Sequence, residues 1–109
     1  MAGWYELAGN DKDQYSFVLK AANSQVILRS QQYASKGAAR AGIASVQKHS
    51  SSDGQYVLDT ASDGRFYFNL KAGNHQVIGT SQMYESQASR SIGIESVKTH
   101  GLSTDVREA

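Results

Sequence analysis

The sequence contains no cysteine and no proline, and it has no apolar run long enough to cross a membrane. Without cysteine there can be no disulfide, thiolate metal site or cysteine nucleophile. Without proline, no strand assignment is excluded on that ground. The first residues also lack the basic and apolar regions of a signal peptide. We therefore expect a cytoplasmic protein that does not associate with membranes.

The chain has little net charge, since eleven Lys and Arg face ten Asp and Glu. This balance argues against binding driven mainly by attraction to phosphate, although it allows a local basic patch. The histidines show no metal-binding spacing, and no glycine-rich phosphate loop or evident pair of nucleophile and base appears. We therefore expect no metal, no cofactor and no catalysis.

The chain does contain an internal repeat. Shifted by fifty-one positions, it aligns with itself without a gap, so that Leu7 falls on Leu58 and His49 on His100. Such a period predicts two copies of one supersecondary unit, repeat one over 1–51 and repeat two over 52–109. Because roughly fifty residues bury too little apolar surface to be stable alone, we expect the repeats to share one core in a single domain, 1–109.

Each repeat shows three segments of period-two alternation followed by a helical segment. Ser35 and Ser86 are predicted to cap helices over 36–49 and 87–100. Gly42 and Gly93, in the middle of these helices, predict a close approach to the sheet. Asn23 and Asn74 are expected in left-handed turns, and Arg90, which replaces Ala39, at the rim of the core.

Segments with strand character also follow the two helices. QYVLDT follows the first helix and TDVRE the second. The strand over 56–60 is expected to belong to both halves and to join them into one continuous sheet.

The motifs F-x-L-K-A-x-N, Q-V-I, S-x-x-Y and G-I-x-S-V occur together in this sequence. In this combination the chain resembles the YegP-like family of small bacterial proteins of uncharacterised function. The resemblance implies an α+β fold in which tandem three-strand-plus-helix repeats form one mainly antiparallel sheet, with two helices on one face and the post-helix strands exchanged between halves. It implies no activity and no binding residues.

Two groups of residues are candidates for binding. The sheet face opposite the helices would present aromatic and basic side chains suited to a protein partner, to self-association or, less well, to single-stranded nucleic acid, namely Trp4, Lys20, Tyr67, Asn69 and Lys71. The strand-to-helix loops carry polar residues matched between the repeats, which either shape the turns or line small-ligand grooves, namely Asn23, Gln31, Tyr33, Asn74, Gln82 and Tyr84.

The sequence favours a small non-enzymatic cytosolic binding or accessory protein that acts through protein interaction. Single-stranded nucleic-acid binding on the open sheet face is one alternative. Binding of a small metabolite, or an enzymatic activity without a recognisable motif, is the other.

Overall fold

A computed structural model describes residues 3–108, which form one seven-stranded sheet with two helices on one face. The α+β fold expected from the repeat is therefore confirmed. In chain order the elements are β1 (Trp4–Gly9), β2 (Tyr15–Lys20), β3 (Val26–Arg29), α1 (Lys36–His49), a 3-10 turn (Asp53–Gln55), β4 (Tyr56–Thr60), β5 (Phe66–Lys71), β6 (Val77–Thr80), α2 (Gln87–His100) and β7 (Val106–Glu108).

The strand order is β4-β5-β6-β3-β2-β1-β7. The two repeats meet at the centre, where β3 pairs with β6 through Arg29 and Thr80. Every pairing is antiparallel except that of β7 with β1, which is parallel. Each post-helix strand pairs outside the half whose helix it follows: β4 follows α1 and pairs with β5, while β7 follows α2 and pairs with β1. The expected strand exchange is confirmed. The expectation that the 56–60 strand joins the halves is wrong, because β4 lies at the edge of the sheet and the halves meet at β3 and β6.

Period-two alternation places one aromatic-rich face of the sheet beneath the helices. Tyr5 packs edge-on against Phe17 with ring centroids 5.9 Å apart. The Tyr5 hydroxyl donates a 2.7 Å hydrogen bond to the Gly101 carbonyl at the end of α2. Repeat two mirrors this arrangement, since the Tyr56 hydroxyl donates to the Ser50 carbonyl at the end of α1 over 2.5 Å. Each buried tyrosine therefore satisfies a helix-terminal carbonyl of the other repeat.

The helices begin where the sequence predicts. Ser35 accepts a hydrogen bond from the Ala38 N–H at 3.0 Å, and Ser86 accepts one from the Ser89 N–H at 3.1 Å. These side chains satisfy N–H groups that have no partner within the first helical turn. Both predicted caps are confirmed.

The mid-helix glycines accommodate a tyrosine between helix and sheet. A Cβ at Gly42 would lie 2.8 Å from Cζ of Tyr33 and 2.9 Å from Cε2 of Phe17. A Cβ at Gly93 would lie 2.5 Å from Cζ of Tyr84. The close approach inferred from the sequence is therefore confirmed, and a tyrosine ring is its main neighbour.

The turns between the second and third strands depart from the sequence prediction. The positive φ values are at Ser24 (70°) and His75 (66°), whereas Asn23 and Asn74 were expected to adopt them. The two asparagines instead accept a hydrogen bond from the N–H two residues ahead, at Gln25 and Gln76, over 3.1 Å in each case. This side-chain turn fixes the residue after each asparagine in the left-handed region.

Candidate functional site

Exposed apolar side chains are distributed unequally between the two repeats. Among residues 3–108, the exposed large hydrophobic residues all lie in repeat two: Val57, Leu58, Met83, Ile92 and Leu102. The repeat-one residues at the matching positions are Glu6, Leu7, Gln32, Ala41 and Ser51. At four of these five positions, repeat two has a large apolar residue where repeat one has a polar residue or alanine. These residues lie on β4, in the loop before α2, on α2 and in the segment after it, so repeat two presents a different surface from repeat one.

The fifth position carries the same residue in both repeats. Leu7 is 1% exposed, whereas Leu58 is 55% exposed. Both occupy the same place on the first strand of their repeat, but their surroundings differ. α1 packs against β1, whereas α2 makes no comparable contact with β4. β7 pairs with β1 beside Leu7, but among the described residues no strand pairs with the outer side of β4. We call β4 together with Ile94 of α2 the acceptor edge.

The filled edge at β1 shows how such a strand is held. Val106 lies opposite Tyr5 and beside Ile43 of α1. Glu108 forms ion pairs with Lys36, at 2.9 Å, and with Arg40. These cations lower the pKa of Glu108. A short strand is thus fixed by one apolar contact and a pair of cations.

On the opposite side of the same strand, Arg107 lies over the Trp4 ring, 4.2 Å from its centroid. A guanidinium over the face of an aromatic ring is attracted by the ring quadrupole. β7 is therefore held through contacts on both faces of the sheet.

The backbone of the acceptor edge is partly closed. Successive N–H groups of a strand point alternately to its two sides, and the Tyr5 N–H bonds outward to Asp105, so Tyr56, Leu58 and Thr60 are expected to point outward. The Tyr56 N–H donates to the Asp53 carbonyl. The Thr60 N–H donates to the Asp59 carboxylate at 2.8 Å. The opening in the edge is therefore centred on Leu58.

Arg90 anchors the far end of β4 and corrects one expectation. The sequence placed it at the rim of the core, but Arg90 is only 8% exposed. Its guanidinium lies over the Phe66 ring, 5.2 Å from the centroid, and donates a 3.0 Å hydrogen bond to the Asp59 carbonyl. The long alkyl chain fills apolar space while the charge finds an aromatic face and a carbonyl. Arg90 thus ties the acceptor edge to α2.

The sheet face opposite the helices is uncovered by any element of the described chain, and the predicted residues on it form two separate groups. Trp4 and Lys20 meet at Glu6, which accepts from the Trp4 indole N–H at 2.9 Å and pairs with Lys20 at 3.0 Å. These two partners lower the pKa of Glu6, the indole hydrogen bond most. The positive charge of Lys20 is therefore neutralised by Glu6.

The second group lies on β5, separated from the first by β6 and β3. The Tyr67 hydroxyl donates to the Asp59 carboxylate at 3.3 Å, and that charge raises the pKa of Tyr67. Asn69 accepts a 2.6 Å hydrogen bond from the Thr80 hydroxyl. Lys71 lacks a counterpart of the Glu6 carboxylate, because Val57 stands at that position on the neighbouring strand. Trp4 and Lys20 thus lie far from Tyr67, Asn69 and Lys71.

The predicted polar loop residues divide between turns and a groove. Asn23 and Asn74 form the turns described above. Gln82 and Tyr84 line a groove of about 330 Å³ beside α2. The Tyr84 hydroxyl in it is buried and has no hydrogen-bond partner within the described chain.

The matching tyrosine of repeat one has the same aromatic contact. Tyr33 stacks on Phe17 with ring centroids 6.1 Å apart, as Tyr84 stacks on Phe68 at 6.3 Å. Burial raises the pKa of Tyr33, and a hydrogen bond with Gln31 partly offsets this rise.

Within residues 3–108, no three acidic or histidine side chains converge in a way that could hold a metal ion. Neither helix of the described chain has the length and apolar content needed to span a membrane.

Comparison with known proteins identifies the family. A family described as a domain of unknown function, DUF1508, matches the chain twice, over residues 10–56 and 61–108. The UPF0339 protein YegP of Escherichia coli K12 is 53% identical over 108 residues, which cover 99% of this chain and 98% of the relative. The chain belongs to the UPF0339/YegP family, with the DUF1508 domain present in tandem. The resemblance inferred from the motifs is confirmed.

Other members of the UPF0339/YegP family are similar over the same length. A UPF0339 protein of Shewanella oneidensis is 50% identical, with coverage of 99% of this chain and 98% of the relative. The solution NMR structure of yegP from E. coli, a protein of unknown function, matches with a TM-score of 0.94 at 53% identity, covering 99% of this chain and 93% of that one. These relatives show the fold and leave the function open.

Sequence reasoning missed the acceptor edge, although one signal for it was available. An aligned pair of identical leucines predicts identical surroundings, so Leu7 and Leu58 gave no warning. The repeat itself carried the clue: seven strands in a linear sheet leave two edges, and only one post-helix strand, β7, follows the last helix. The exchange of Glu6 for Val57 lies on β4, the edge strand that has no strand on its outer side.

Proposed function

We propose that this protein is a small binding or accessory module that captures an extended segment of another protein at the acceptor edge. The observation that carries the proposal is the contrast in exposure between two matched leucines. Leu7, on the strand beside β7, is 1% exposed, whereas Leu58, at the matching position on β4, is 55% exposed. Addition of a strand to an open sheet edge is a recurring mode of peptide recognition, in which main-chain hydrogen bonds provide affinity and side-chain contacts specificity.

The residues around the edge leave only its middle unpaired, which protects the strand against aggregation. Natural proteins protect exposed edges with short strands, charges and local turns. β4 has five residues, its first N–H is bonded to Asp53 and its last to Asp59. Only the middle is left available, and there Val57 and Leu58 offer apolar contacts on opposite faces.

Single-stranded nucleic-acid binding on the open sheet face has less support. Base stacking needs free aromatic faces beside unpaired cations. Arg107 occupies one face of Trp4, and Lys20 pairs with Glu6. The charges nearest the only tryptophan are therefore already engaged.

The proposal is tested by removing the outward N–H of the edge. Leu58→Pro deletes this donor, and proline is tolerated on edge strands when the missing N–H faces solvent. Leu58→Ala is the matched control, because it shortens the side chain but keeps the donor. A photo-crosslinking residue at Val57 reports contacts in cells, with the same residue at exposed Gln32 of repeat one as the reference.

Strand capture predicts that position 57 cross-links to one contiguous segment of a partner, whereas position 32 does not. It also predicts that Leu58→Pro abolishes this product and that Leu58→Ala reduces it less. Equal cross-linking from both positions, or a product unaffected by Leu58→Pro in a protein that remains folded, would contradict the proposal.

A further inference from the structure

The acceptor edge lacks the charged groups that hold β7 at the other end of the sheet. Lys36 and Arg40, which pair with Glu108, correspond to Gln87 and Ser91 in α2. Both replacements are exposed and uncharged. An acidic side chain at the position of Glu108 would therefore lack the counterparts of Lys36 and Arg40, and the guanidinium of Arg90 is already engaged by Phe66 and the Asp59 carbonyl.

The opposite face of the sheet also lacks, at the acceptor edge, the groups that hold β7. Arg107 lies beside Trp4 and Glu6, and these two residues correspond to Gln55 and Val57. A cation at the position of Arg107 would thus lose both the aromatic ring and the carboxylate, and would instead meet the apolar side chain of Val57.

The apolar residues that surround β7 at the filled edge have counterparts at the acceptor edge. Tyr56 and Leu58 match Tyr5 and Leu7, and Ile94 matches Ile43. Ile94 is partly buried, whereas Ile43, which lies beside Val106, is 3% exposed. An apolar side chain in the place of Val106 would complete the burial of Ile94 as β7 does for Ile43.

We infer, on the basis of the proposed function, that the acceptor edge selects a short uncharged strand that runs parallel to β4. Its first residue is apolar and packs against Tyr56 and Ile94. Its second is apolar and packs against Val57, and its third is neutral and lies beside Gln87 and Ser91. The partner is thus a β7-like segment of another protein from which both charges have been removed.

A second copy of this chain fits the edge less well. Its own tail carries Arg107 and Glu108, the two charges that the edge no longer matches.

Three blocked peptides test the selection against the full-length protein by NMR titration. The first has the sequence of residues 103–109, STDVREA. The second, STSVVTA, is the neutral counterpart. The variant Gln87→Lys/Ser91→Arg restores the repeat-one cations at exposed positions, and a third peptide, STSVVEA, carries the matching acid alone.

The inference predicts that STSVVTA shifts the amide resonances of Tyr56–Thr60 and leaves that of Leu7 unchanged. STSVVEA should bind the natural protein about fivefold more weakly than STSVVTA, and the double variant should reverse this order, as expected for restored ion pairs. A spin label at the peptide N-terminus should broaden the Tyr56 amide more than the Thr60 amide, because the strand is parallel.

The other results separate the two ideas. Peptides that bind at β4 without discrimination, or with the N-terminal label near Thr60, would overturn the inference while strand capture stands. Absence of binding at β4 by every peptide, or protection of β4 by self-association in the free protein, would overturn both.

Discussion

Truncation of Leu7 and Leu58 to alanine removes the same atoms from two different environments. Leu7 is 1% exposed beneath α1 and β7. Leucine-to-alanine changes in cores cost about 2–5 kcal/mol of unfolding free energy, because transfer and cavity terms add. For Leu7→Ala we expect a cost in this range.

Leu58→Ala should cost much less. More than half of the side chain, 55%, is already exposed, and no enclosed cavity is left at an open edge. The burial that remains is a little under half of the residue, which corresponds to about 1 kcal/mol on the scale for a fully buried leucine. The two variants should therefore differ by about 2 kcal/mol, because α1 and β7 enclose Leu7 whereas Leu58 lies at an open edge.

Urea unfolding of both variants measures this difference. With a denaturant slope of about 1–3 kcal/mol/M, Leu7→Ala should unfold at a urea concentration lower by about 1 M than Leu58→Ala. Equal costs would refute the reasoning, since they would mean that Leu58 is covered in solution. If the cost of Leu58→Ala also increased with protein concentration, self-association would be the cover.

Three further predictions concern the helices and the edge. Gly42→Ala should destabilise the protein by about 1–3 kcal/mol through overpacking. Gly37→Ala should stabilise it slightly by helix propensity, because a Cβ there would meet only a serine hydroxyl at 4.0 Å. Thermal unfolding that shows the same sign for both variants would contradict the packing account. Arg90→Met should speed amide exchange in β4 by removing the bond to the Asp59 carbonyl, and unchanged exchange would show that Arg90 does not anchor the edge. Burial lowers the pKa of His100 from its ordinary 6.5. The unfolded chain therefore binds this proton more readily than the folded protein, and the free energy of unfolding should fall as the pH drops below 6.5. An NMR titration midpoint above 6.5 for His100 would contradict this prediction.

The local features of the fold could be predicted because each depends on neighbouring residues. The caps at Ser35 and Ser86 need only a hydroxyl before a helical segment. The strands follow from period-two alternation, and the shared core follows from the repeat. The mid-helix glycines indicated tight packing, although the tyrosine that fills the space at Gly42 reaches it from the preceding loop.

The features that could not be predicted depend on contacts between distant residues. Arg90 was expected at the rim because charged residues are seldom buried, but an aromatic ring and a free carbonyl meet it inside. At the repeat boundary, Leu28 occupies space that its counterpart would need, since a Cβ at Gly79 would lie 2.6 Å from Cγ of Leu28. Only one of the two repeats can carry a large residue beside the axis that relates them.

The candidate site was the least predictable part for a related reason. The sequence directed attention to residues that the repeats share, such as Lys20 and Lys71, whereas the acceptor edge is defined by differences between the repeats. Glu6 and Val57 differ, and the strand beyond them is present on one side alone. A repeat alignment shows the first difference but not the second.

The most direct test of the account is native-state hydrogen exchange of the Leu7 and Leu58 amides in the same sample. The account predicts that Leu7 is protected by β7, while Leu58 exchanges rapidly at every protein concentration and becomes protected when STSVVTA is added. Strong protection of Leu58 in the free protein, equal to that of Leu7, would contradict the central claim that repeat two presents an open edge.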